Sequence, residues 1–66
     1  MSIESDRDAR YLRLFRQSAR SLMVAAQLGD AGRVRAEEKA ARAYYEELGI
    51  SAKYDAEIFL AELSHA

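Results

Sequence analysis

"LGDAGR", residues 28–33, decides the fold. Two glycines flank an aspartate within six residues, and long runs of helix-forming residues lie on both sides. Gly29 suits the left-handed position that ends a helix, and Asp30 suits the N-cap of the next one. Gly32 then falls early in that second helix, where its cost is smaller. A connection this short turns the chain back on itself, so the flanking helices must form an antiparallel hairpin.

Upstream, the pattern predicts a first helix from about Ser5 to Leu28. Ser5 with Asp8 three residues on resembles a capping box, and Glu4, Asp6 and Asp8 suit the positive end of the helix dipole. Tyr11, Phe15, Ala19, Leu22 and Ala26 share one face, flanked by Leu12, Leu14 and Met23, with the arginines opposite. Downstream, a second helix is expected from about Ala31 to Leu48. Val34, Ala41, Tyr45 and Leu48 form its inner stripe, beside Ala40 and Tyr44, and Glu38–Arg42 and Arg42–Glu46 sit at i,i+4 spacing outside. "LGIS", residues 48–51, is the second break, with Gly49 closing one helix and Ser51 capping the next. A third, shorter helix should span about Ala52 to Leu63 and present Tyr54, Ile58, Phe59, Ala61 and Leu63. Proline is absent and only five residues are β-branched, so strands are not expected. The expected fold is all-α: one domain over residues 1–66, an antiparallel helical hairpin with a shorter third helix.

Residues 44–63, "YYEELGISAKYDAEIFLAEL", resemble a helix-turn-helix DNA-binding motif. The resemblance implies that the third helix would read the major groove. The stretch departs from that pattern at Tyr45, where a small residue normally permits close helix crossing, and at Asp55, where a buried aliphatic is usual. Asp55, Glu57 and Glu62 against one Lys53 would also repel phosphates.

The chain has 66 residues, and 13 of its apolar residues are alanine, which contribute little burial each. So short a chain is marginal on its own, and Met1 and Ile3 are expected outside the core. With no cysteine, no disulfide or thiolate–metal site can hold it together. Close packing between copies is one remedy. A homodimer is therefore expected, forming a helical bundle through Tyr11, Phe15, Leu22, Met23, Tyr45 and Phe59. No stretch approaches the roughly 20 apolar residues of a membrane span. The opening "MSIESDRDAR" is acidic and polar, unlike a signal peptide, and a cytoplasmic location with no membrane association is expected.

The net charge is −1, but it is unevenly spread. Residues 9–29 contain Arg10, Arg13, Arg16 and Arg20 and no acid. On a helix these four occupy a sector about 120° wide. Such a row can follow a phosphate backbone or meet carboxylates through bidentate pairs. The ordinary alternative is a solvated face partly paired with Glu37 or Glu38. The balanced total charge and the lack of lysine clusters favour an acidic protein over nucleic acid.

Sites for catalysis are not expected. There is no cysteine nucleophile, no glycine-rich phosphate loop, and one imidazole, His65, near the chain end. Glu62 and His65 match the Glu-x-x-His spacing of di-iron bundles, but in a single copy, so neither metal nor cofactor is expected. Tyr11, Tyr44, Tyr45 and Tyr54 are residues favoured at contact surfaces. The expectation is a non-catalytic protein-binding regulator (adaptor, co-chaperone or inhibitor). It would dock as a homodimer onto a larger protein with an acidic surface through Arg10, Arg13, Arg16, Arg20 and Tyr44. The alternative is a nucleic-acid-binding regulator using the arginine face or residues 44–63.

Overall fold

A computed structural model describes residues 4–65, with side chains from Asp6 onward. The expected positions of Met1 and Ile3 and the Ser5 side-chain cap lie outside what is described. The chain is three helices: α1 (Glu4–Gln27), α2 (Ala31–Glu46) and α3 (Ile50–His65), in an all-α fold built on a long helical hairpin. No described helix is long and apolar enough to cross a membrane.

The α1–α2 turn follows from its own residues. Gly29 has φ of 74°, a conformation that costs an L-residue roughly 1–2 kcal/mol. The Gly29 N–H donates to the Ala26 carbonyl (3.2 Å) and the Asp30 N–H to the Ala25 carbonyl (2.9 Å). Those two bonds are the Schellman closure of α1. Asp30 then starts α2, its side chain accepting the Arg33 N–H at 3.1 Å.

The α2–α3 junction is built differently. No left-handed residue occurs in it; Glu47, the C-cap of α2, has φ −83° and ψ −8°. Gly49 does not act as a left-handed stop and Ser51 does not cap α3. Gly49 itself stands at the N-cap position, its carbonyl accepting the Lys53 N–H at 2.9 Å. The Gly49 N–H donates to Asp8 Oδ1 of α1 at 3.2 Å, and Arg7 pairs with Glu47. A Cβ at position 49 would sit 3.0 Å from Asp8 Oδ2. Glycine is needed there for close approach, not for its backbone angles.

The buried cluster is small. Leu12, Phe15, Leu48, Ala52 and Ala56 form it, with Tyr11, Ala41, Tyr44, Tyr45 and Phe59 packed around it. On α1 the buried line runs through Leu12, Phe15, Ser18, Ala19 and Ala25, while Ala26 is exposed. On α3 the expectation fails more clearly. Tyr54 and Ile58 point outward, 68% and 44% exposed, and Ala52 and Ala56 face inward. The Asp8–Gly49 link draws the first two turns of α3 so close to α1 that only methyl side chains fit between them. Among the described residues, the ion pairs are Arg7–Glu47 and Arg33–Glu37 (3.8 Å); the expected Glu38–Arg42 and Arg42–Glu46 pairs are not among them.

The two junctions should respond differently to mutation. Gly29→Ala is expected to lower the unfolding free energy by about 1 kcal/mol through backbone strain alone. Asp8→Ala should cost about 1 kcal/mol, typical of a lost cap, and should loosen α3 selectively. Urea denaturation of both variants, with hydrogen exchange of the α3 amides in the second, checks this.

Candidate protein interface

Tyr45 is where the three helices meet. Its ring packs against Phe15 of α1, with centroids 6.0 Å apart. Its hydroxyl donates to Glu57 Oε2 of α3 at 2.9 Å, and Lys53 Nζ lies 5.5 Å from the ring centroid. The adjacent Tyr44 turns about 100° away, as helical spacing requires, and packs on Tyr11 of α1 at 6.2 Å. Elsewhere the backbones of α2 and α3 hardly approach, because α3 packs on α1. Tyr45 therefore acts as a strut between α2 and α3.

Beyond that strut the three helices enclose an open groove of about 640 Å³. Phe15, Ala19, Leu22 and Met23 form its α1 side, Ala41 and Tyr45 its α2 side, and Leu60 and Leu63 its α3 side. Glu38, Arg42, Glu57 and Ser64 supply the polar groups of its lining. Four residues expected at a self-contact, Phe15, Leu22, Met23 and Tyr45, thus come together here. Phe15 is only 4% exposed and belongs to the chain's own core, so it offers a floor and little more. Tyr11 stays in the hairpin, its ring 5.4 Å from the Arg7 guanidinium. Phe59 lies on the other side of α3, beneath two arginines.

Those arginines divide the expected row. Arg10 and Arg13 are exposed. The guanidinium carbons of Arg16 and Arg20 lie 5.7 and 5.2 Å from the Phe59 ring centroid. Asp55 and Glu62 line the same cleft. Cation–π contact of this kind is worth about 0.5–1 kcal/mol at an exposed site and restricts where the charged heads point. Glu37 pairs with Arg33 rather than with this row.

Sequence reasoning missed a second surface. Ile50, Tyr54 and Ile58 recur every four residues along the outer side of α3, and Ile50 is 90% exposed. Helix α3 is therefore apolar on two faces, with Ala52, Ala56, Phe59 and Leu63 inward and this stripe outward. Apolar residues all around a helix are the mark of one covered on more than one side. That composition was visible in "YDAEIFLAEL", but no single face stood out from it. The helix-turn-helix resemblance gains no support from the packing, since α2 and α3 touch through Tyr45 instead of crossing closely. Glu62 and His65 are exposed on the last turns of α3, and no three metal-ligating side chains gather among the described residues.

The Tyr45 phenol ionises above its ordinary value. The hydrogen bond to Glu57 is the largest cause, followed by lost hydration and then by the negative charges of Glu57 and Glu46. A raised pKa in the folded state means that the link stabilises fully below the ordinary phenol value near 10. It is lost as pH rises through the higher folded value. Phenolate absorbance should show a late-titrating tyrosine, absent in Tyr45→Phe and shifted downward in Glu57→Gln.

No family model matches the chain, and no curated protein or solved structure matches it.

Proposed function

We propose that this chain is a non-catalytic protein-binding regulator of the adaptor, co-chaperone or inhibitor type. It docks as a homodimer in the cytoplasm onto a larger protein with an acidic surface. One observation carries the reading: the outer side of α1 is an arginine surface, half of it held in a defined geometry. Arg10 and Arg13 stand in solvent, and Arg16 and Arg20 are braced on Phe59. Residues 9–29 contain no acid, Asp55 and Glu62 of α3 line the cleft of Arg16 and Arg20 alone, and none of the four is in an ion pair among the described residues. Braced guanidinium groups lose less side-chain entropy on binding, and their planar forks match carboxylates two bonds at a time. Tyr44 lies at the α1–α2 seam, half-buried, and contributes support more than contact area.

A nucleic-acid partner is the second reading, favoured by the same exposed arginines. Helix α3 weighs against it, because Asp55, Glu57 and Glu62 outnumber Lys53. Each phosphate neutralised would add about 0.9 to the slope of log affinity against log salt on duplex DNA.

Arg10→Glu with Arg13→Glu is expected to abolish capture of the partner recovered by the unaltered chain from its own cells. Helicity by circular dichroism should stay the same, since neither side chain packs. Recovery of that partner with the double variant removes the arginine face from the reading. Steep salt-dependent binding to duplex DNA or to RNA would replace it with the second one.

A further inference from the structure

The groove and the outer stripe of α3 are two exposed, largely apolar surfaces on the same chain. We infer that a second copy closes the groove, each α3 laying its Ile50–Tyr54–Ile58 stripe against the α2 wall of the other copy. The inference rests on the homodimer in the proposed function and names its interface.

Three observations converge on this occupant. The first is surface area. A folded monomer of 7.4 kDa exposes roughly 4,200 Å², whereas this chain exposes 5146 Å². The excess is close to the roughly 800 Å² that one partner contributes to a standard interface. The radius of gyration agrees, at 12.3 Å against roughly 10.8 Å for a compact chain of this length.

The second is helical geometry. An open groove walled by three helices accepts a fourth, and the entering helix must offer an apolar stripe about two turns long. Ile50, Tyr54 and Ile58 are such a stripe, and they are exposed in the single chain. Successive residues turn by 100°, so this stripe lies roughly 120° around α3 from its groove-lining side at Leu60 and Ser64. A two-fold axis beside α3 therefore lets each α3 meet its counterpart along the groove side and the other copy's α2 along the stripe. Each contact is made twice, as a two-fold interface requires.

The third is charge. Helix α2 carries a net +1 and α3 a net −2. Asp55 and Glu62 flank one edge of the stripe, and Arg42 stands with Glu38 on the α2 wall of the groove. Seating α3 on the other copy's α2 brings together helices of opposite net charge. Pairing the two α3 helices alone would leave like charges facing.

The absence of cysteine makes the test direct. Sedimentation equilibrium of the full chain at tens of micromolar should give twice the 7.4 kDa mass. Tyr54→Glu with Ile58→Glu should return it to a single copy with unchanged helicity, because both side chains are exposed. Mixing separate Ile58→Cys and Glu38→Cys chains under oxidation should yield a disulfide between them, and Arg13→Cys in place of Glu38→Cys should not. A single-copy mass at that concentration overturns the inference, as does a dimer that survives the double variant or lacks the 58–38 cross-link. A foreign helix in the groove would appear as the first of these. None of these outcomes touches partner capture through Arg10 and Arg13, which is read separately.

Discussion

One carboxylate sets the arrangement of the third helix. Asp8, just past the first turn of α1, accepts the N–H of Gly49 and so supplies from another helix the partner that the Glu or Gln of a capping box would normally provide. With Arg7–Glu47 beside it, this link fixes where α3 begins. The close start leaves room only for Ala52 and Ala56 between α1 and the first two turns of α3, and Phe59 meets Arg16 and Arg20 farther along. The same closeness turns Ile50, Tyr54 and Ile58 outward. Farther along, Tyr45 props α3 away from α2, and the groove opens behind it.

The core explains why these surfaces matter. Among the described residues, Leu12, Phe15 and Leu48 are its only large buried apolar side chains; the rest are alanines. Few-kcal/mol margins are normal for domains of this size, and a core this thin leaves apolar area outside it on Leu22, Met23, Leu60 and Leu63. The arginine row belongs to another part of the surface, across α1 from the groove. The molecule thus presents an apolar concavity on one side and a basic helix face on another, and the two can be occupied at once.

The hairpin was legible in the sequence because its determinants are local. Gly29 and Asp30 act through their own backbone and side chain, and the one-sided apolar pattern of α1 places Phe15 inward unaided. The stripe of α2 was legible for the same reason, down to the divergence of Tyr44 and Tyr45. The facing of α3 was not. Its apolar residues surround the helix, so periodicity selects no side, and the choice is made by Asp8 some forty positions earlier. Gly49 illustrates the limit: its need for glycine was visible, but its reason, an approaching carboxylate rather than a positive φ, is tertiary. The groove depends on how α3 departs from α2, which no local pattern encodes. Arg16 and Arg20 read as solvated until Phe59 is placed beneath them.

The contrast between the two junctions orders events in time. The α1–α2 turn closes with bonds between neighbours a few residues apart, the kind of step completed within microseconds. The start of α3 waits for residue 8 to come within reach of residue 49, which happens only after the hairpin has zipped to its open end. A refolding chain would therefore hold its hairpin turn before its last helix has a place to settle, and in that interval the apolar side chains of α3 are free to find another molecule.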